Sequence, residues 1–147
     1  MGQANIETSR RVIEEAFGEG RLEILDELCA DDFVDHDAIQ GDRGLEGAKQ
    51  TISDYRDAFP DLEFTVEDIF AAEDKVVIRW SAQGTFENVF MGQAPTHEKG
   101  DPIQGIGIDR FDADGKITES WAQWDVLTFL RLVGMLPEPA EASAGAA

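Results

Sequence analysis

His36 is the residue of this chain best suited to moving protons. An imidazole titrates near neutrality, so it can take a proton from a carbon beside a carbonyl and return it. It stands in the run Asp35-His36-Asp37, which invites a metal-site reading. Alternation along an extended segment points His36 away from both aspartates, and this argues against three ligands converging on one ion. Two readings of His36 remain: a general base at the mouth of a pocket, or a structural histidine hydrogen-bonded to backbone. Asp125 is the second candidate acid/base, placed to orient or polarise His36 if it reaches the pocket floor. It also directly precedes Val126-Leu127-Thr128, where a helix N-cap would stand.

Two further acids fall on strand patterns. Asp68 has the parity of Phe64, Val66 and Phe70, and on such an apolar face its pKa would rise. Near a strand end it would instead be solvated. Asp109 has the parity of Gly105, Gly107 and Phe111. The aromatic residues Tyr55, Phe59, Trp80, Trp121 and Trp124 could stack on a flat ligand or simply fill a core.

Other chemistries fail on residue type. Arg110 to Gly115 resembles the start of a calcium loop, but Arg110 and Trp121 stand at the first and last ligand positions, where acids are needed. His97, beside Glu98 and Lys99, reads as solvated. No Ser or Cys nucleophile motif and no phosphate-binding glycine loop is present. One cysteine, Cys29, and two histidines exclude an internal disulfide and a Cys/His zinc cluster. The expectation is a protein without metal or cofactor.

The periodicity supplies the elements that must position these groups. Apolar residues at helical spacing predict a helix over 6–17, stopped by Gly18 and Gly20, and a short one over 22–29. Leu45, Ala48, Ile52, Tyr55 and Phe59 form the stripe of a third helix, ended by Pro60. Residues 33–37 read as a short extended piece and 39–44 as a polar loop. The period then changes to two over 62–71 and 76–85, with a turn at 73–75 and a long loop at 86–101. Residues 103–125 form a hairpin, because Asp114-Gly115 between alternating apolar runs supplies the positive φ of a tight turn. A last helix follows over 125–133. Helices first, then a meander of strands, then one helix predicts an α+β layer fold with a concave space between layers.

The chain has 147 residues, 42% of them apolar, enough for one domain, set at 1–136, with a disordered tail over 137–147. Thirty-one acidic against 12 basic residues give a net charge of −19, a surface that repels phosphate backbones and anionic lipid. Nucleic-acid and membrane partners are therefore not expected. No apolar run approaches ~20 residues and no signal core opens the chain, so a cytoplasmic location is expected.

Several stretches together are similar to a known family: Phe33-Val34-Asp35-His36-Asp37, Gly44-Leu45-Glu46-Gly47, Ala58-Phe59-Pro60-Asp61-Leu62, Arg79-Trp80, Gly84-Thr85, Gly92 to Thr96, and Asp114-Gly115-Lys116-Ile117 with Trp121 and Asp125. In order and spacing they resemble the SnoaL-like polyketide cyclases of the nuclear transport factor 2-like superfamily. The resemblance implies a cone-shaped, cystatin-like α+β fold: a curved antiparallel sheet, three N-terminal helices and a short C-terminal helix. It implies an apolar pocket for a hydrophobic small molecule and a homodimer formed through the sheet. Cyclases of this type close a ring by an intramolecular aldol reaction without metal or organic cofactor. They use an Asp on the last strand, where an ungapped alignment here puts Ala122, and a His where this chain has Ile108.

The expected pocket is walled by His36, Tyr55, Phe59, Trp80, Ile106, Ile108, Ala122 and Trp124, with Asp109 facing outward. Two functions stay open. One is an acid/base enzyme of cyclase, isomerase or lyase type, with His36 and Asp125 as its groups. The other is a ligand-binding module that lacks them, motivated by Ala122 and Ile108.

Overall fold

A computed structural model describes residues 2–137. The elements are α1 (Gly2–Arg11, continued by a π-helical stretch, Val12–Phe17), α2 (Ile24–Leu28), β1 (Cys29–Asp37), β2 (Gly41–Arg43), α3 (Leu45–Ala58), β3 (Glu63–Ala72), β4 (Lys75–Gln83), β5 (Ile103–Phe111), β6 (Ile117–Trp124) and α4 (Val126–Leu132). The strands form one curved six-stranded sheet in the order β2-β1-β6-β5-β4-β3. This is the expected α+β class. The sheet is mixed rather than antiparallel, because β1 lies parallel to β6.

Local chemistry explains the boundaries. Pro60 cannot continue α3, which ends at Ala58 with Phe59 N–H bonded to the Tyr55 carbonyl. The Arg56 guanidinium donates to the carbonyls of Phe17 (2.8 Å) and Gly18 (3.1 Å), filling acceptors left open at the end of the first helix. In the β5–β6 turn Gly115 takes φ 78°, and the Asp112 carboxylate accepts from the N–H groups of Asp114 and Lys116. The polar stretch after β1 does not stay a loop: β2 pairs antiparallel with the end of β1. Cys29 opens β1 rather than closing α2, and it is buried. Desolvation pushes its thiol up to about 12.

Two irregularities decide which side chains face the helices. β3 and β4 change register between Val66 and Asp68, a bulge that reverses the side-chain parity downstream. Phe64 and Val66 pack on the core while Phe70 is 55% exposed. Asp68 therefore leaves the apolar face and pairs with Arg79 (2.7 Å) in solvent. β5 and β6 change register between Arg110 and Phe111. A regular continuation from the Phe111–Ile117 pair would place Ile106 and Ile108 beside Ala122 and Ser120. The extra residue instead pairs Ile108 with Trp121, and Gly107 with Ala122. β5 itself alternates without a break between buried Ile103 and Phe111, so Ile106 and Ile108 lie on the outer face, with Ile106 50% exposed, and Asp109 on the inner one; the β6 insertion brings Ala122 and Ser120 to that inner face. These placements reverse the expectations for Ile106, Ile108 and Asp109.

The main core joins the helices to the inner sheet face through Ile13, Leu25, Phe33, Ile52, Ile78 and Ile117. A second cluster, centred on Phe59, Phe86, Phe90 and Phe129, packs the long loop and α4 against α3. The expected disordered tail lies, from residue 138 on, outside the described residues. No helix among the described residues is long and apolar enough to cross a membrane.

Candidate active site

The inner face of the sheet reads as three rungs. Asp35, Ser120, Asp109 and Val76 form the first. Ala122, Gly107 and Ile78 form the second; Trp124, Gly105 and Trp80 form the third. The two glycines are a packing requirement. A Cβ on Gly105 would lie 2.4 Å from the Trp80 indole and 2.7 Å from the Trp124 Cβ. Bare backbone here lets the Trp80 indole lie flat along the sheet.

Between these rungs and the helices is a cavity of about 190 Å³. A cavity of roughly 150 Å³ holds benzene, so this one has room for a substituted ring. Phe33, Ile52, Phe59, Trp80, Ala122 and Trp124 supply apolar wall. The polar groups on it are few, as in small-molecule sites generally.

Asp35 is the first of them. Its side chain makes no hydrogen bond or ion pair with any described residue. Burial, then the charges of Asp37 and Asp109, push its pKa up to about 6. Such a carboxylate is a stronger base than a solvated one and still ionised at neutral pH.

Tyr55, from α3, is the second. Its hydroxyl is buried with no hydrogen-bond partner. Its ring stacks on Phe90 (5.4 Å between centroids) and meets Phe129 edge-on (5.6 Å), which fixes the phenol. Burial first, then the charges of Asp37 and Asp35, raise its pKa, so the hydroxyl stays a donor. An orphaned buried donor costs stability unless something accepts from it.

Asp109 is the third. It is fully enclosed, each oxygen accepting a hydroxyl: Ser9 Oγ from α1 and Ser120 Oγ from β6, both at 2.6 Å. Burial raises its pKa against the lowering effect of both hydroxyls. It ties α1 to the sheet and has no free lone-pair direction comparable to Asp35.

The expected pair is not brought together. His36 pairs across the ladder with Trp121 on the outer side of the sheet, and their rings stack at 5.4 Å. Both residues also line the cavity. Nδ1 of His36 meets Asp42 and Nε2 meets Glu119, each at 2.7 Å, and Glu119 also binds Arg110. The hydrogen bonds to Glu119 and then Asp42 raise the His36 pKa. With both ring nitrogens held by carboxylates, His36 has no free nitrogen to present to a substrate. Asp125 caps α4, accepting from Thr128 N–H (3.1 Å) and Thr128 Oγ1 (2.6 Å), and these bonds lower its pKa. It does not line the cavity. His36, Tyr55, Phe59, Trp80, Ala122 and Trp124 do. No group of three His, Cys, Asp or Glu among the described residues is disposed to hold a metal ion.

The SnoaL-like polyketide cyclase family model matches residues 7–132. The chain belongs to the SnoaL-like polyketide cyclase family. Among solved structures, this family member is 34% identical to IdmH, a candidate polyketide cyclase of Streptomyces antibioticus (TM-score 0.74, covering 88% of this chain and 98% of that one). AclR of Streptomyces galilaeus, a candidate hydroxylase, superposes with a TM-score of 0.83 at 24% identity over 98% and 89% of the two chains. A candidate SnoaL-like polyketide cyclase of Jannaschia sp. CCS1 does so at 0.81 and 22% identity over 92% and 95%. These two likenesses show a shared fold. Comparison with curated protein sequences returned no match.

Asp35 and the Tyr55 hydroxyl are the groups that sequence reasoning did not select as acid and donor. Asp35 was visible only as a residue sharing a face with Asp37, opposite to His36, in an alternating Asp-His-Asp run. What the alternation could not say was which of the two parities faces in.

Proposed function

We propose that this SnoaL-like protein is a cofactor-independent small-molecule enzyme. In this reading Asp35 takes a proton from a carbon beside a carbonyl, and the Tyr55 hydroxyl donates to the carbonyl oxygen as negative charge develops there. Aldol ring closure, isomerisation and elimination all begin with that step. The single observation supporting it is that one apolar cavity contains both an unpaired carboxyl poised near pH 6 and a buried hydroxyl without an acceptor. Water exclusion by the aromatic wall would strengthen both interactions.

The test is proton exchange. Cyclic ketones of one ring, incubated in D₂O and followed by NMR, should exchange their α-protons faster with the protein than without it. Asp35→Asn should remove the acceleration, and Tyr55→Phe should reduce it roughly 100–1,000-fold, the range for one oxyanion donor. Acceleration unchanged in Asp35→Asn would remove Asp35 from the mechanism.

A second reading is a hydrophobic-ligand carrier, favoured by Ala122, which stands where the ungapped alignment puts the cyclases' catalytic Asp. Ala122→Asp separates the two: a gain of ring closure in that variant alone would mean that the native chain binds without turnover.

The same reading includes a homodimer packed through the outer sheet face, in the cytoplasm. Its support is the apolar surface there, where Ile106 is 50% and Trp121 36% exposed. Light scattering should return twice the chain mass, and Ile106→Glu should return one.

A further inference from the structure

The carboxylates of the cavity outnumber its cations. Asp35, Asp37, Asp101 and Asp109 line it, His36 is the one basic residue that does, and no lysine or arginine is among the lining residues. Asp109 is satisfied by two hydroxyls. One oxygen of Asp37 accepts the N–H groups of Ile39 and Gln40. Of the two lining carboxyls whose side chains have no partner among the described residues, Asp101 is exposed and Asp35 is half-buried. The cations felt at Asp35 are His36 first and then Arg43, and both are engaged elsewhere: the His36 ring nitrogens meet Asp42 and Glu119, and Arg43 donates to the Gly47 carbonyl (3.2 Å) and Thr51 Oγ1 (3.3 Å).

A carboxyl in that setting lacks a positive charge, and the aromatic faces of Trp80 and Trp124 on the same wall favour cations over anions. The whole surface, at −19, adds to the same field. A carboxylate- or phosphate-bearing ligand would meet repulsion at every stage of entry and no lysine or arginine to pair with.

We propose that this site takes a hydrophobic ligand of about one ring that carries a protonated amine, and that Asp35 is the residue that selects it. This rests on the reading of the cavity as a small-molecule site, but not on proton transfer by Asp35. The ammonium would pair with the Asp35 carboxylate, the ring would lie along Trp80 and Trp124, and any hydrogen-bond acceptor on it would take the Tyr55 hydroxyl. The reactive molecule is then an amino-substituted cyclic or cyclisable ketone rather than a keto acid.

The experiment uses three probes of one shape: benzylamine, benzyl alcohol and benzoate, titrated calorimetrically into the full chain near neutral pH. Benzylamine is expected to bind at least tenfold more tightly than the alcohol, and benzoate at least tenfold more weakly. Asp35→Asn should bring the amine down to the alcohol and leave the alcohol unchanged. Because the substitution could perturb folding, the wild type supplies a second readout. The Asp35 carboxyl, followed by carbon NMR on Asp-labelled protein, should titrate at lower pH with benzylamine bound. Benzoate matching the alcohol, an amine no better than the alcohol, or an Asp35 titration that does not move would overturn the proposal. So would a preference that vanishes in about 0.5 M salt, since screening removes surface attraction far more than a buried pairing. The two readings fail separately. Lost amine selectivity with Asp35-dependent proton exchange intact would sink only this inference; the converse would sink only the catalytic role. No binding by any of the three would sink both.

Discussion

The indole of Trp80 lies over the bare backbone of Gly105, 2.4 Å from where a Cβ would stand. Neither neighbour of that point can yield cheaply. The indole is rigid, and the other close atom is the Cβ of Trp124 (2.7 Å), fixed to its own strand. Gly105→Ala should therefore cost roughly 1–3 kcal/mol, the range for overpacking a filled site. Denaturant midpoints would measure it, and Trp fluorescence should shift, since both indoles must move. An unchanged midpoint would mean that the wall is slacker than its geometry.

Asp35 predicts two pH dependences. Its pKa is raised from 3.8 to about 6 in the folded chain, so the native state holds this proton more tightly than the unfolded state does. Stability from this site is fully present below about pH 4, falls as pH rises to about 6, and is level above that. At about 1.4 kcal/mol per unit the deficit is of order 2–3 kcal/mol. Asp35→Asn should thus gain stability over the wild type near neutrality and lose that advantage near pH 4, as read from paired melts. If the carboxylate is the base, kcat/KM should rise with pH through about 6.

Tyr55→Phe should leave stability unchanged or raise it by roughly 0.5–1 kcal/mol, because it deletes a buried hydroxyl that bonds to nothing. Catalysed exchange should fall in the same variant. A group that costs stability while supporting activity is what a site held ready for a ligand would contain. A variant both less stable and fully active would contradict this.

His36 and Asp125 should behave as structural residues. Asp125→Ala should cost about 1 kcal/mol through loss of the α4 cap, with exchange within about twofold of wild type. His36 is held by Glu119 and Asp42, which raise its pKa. The ion pairs therefore stabilise β1, β2 and β6 below the ordinary histidine pKa, and the contribution is lost as pH rises through the raised value. The stability gap between wild type and His36→Gln should narrow as pH rises above the ordinary histidine pKa and through the raised one, while exchange persists. Loss of exchange in a folded His36→Gln would restore His36 to the chemistry.

Much of this protein was legible in its residues. The stripe through Leu45, Ile52 and Tyr55 set α3 and its core face, and Phe59-Pro60 set its end. Asp114-Gly115 set the β5–β6 turn. The run of helices before strands set the α+β class, and the aromatic side chains Tyr55, Phe59, Trp80 and Trp124 were expected on the cavity wall that they line. Each of these follows from short-range chemistry: a period, a cap, a proline, a positive φ.

The chemistry of the site was decided by tertiary structure. One inserted residue in β6 turns Ser120, Ala122 and Trp124 to the face of Ile117, where they pair with Asp109, Gly107 and Gly105 rather than with Ile108 and Ile106. One in β3 sends Asp68 to Arg79 and solvent. The parallel seating of β1 on β6 points Asp35 at the cavity and His36 at Glu119. A strand has only two faces, and alternation says which residues share one but not which is buried. A single bulge exchanges the two sets, and only pairing with a neighbouring strand fixes where that bulge falls.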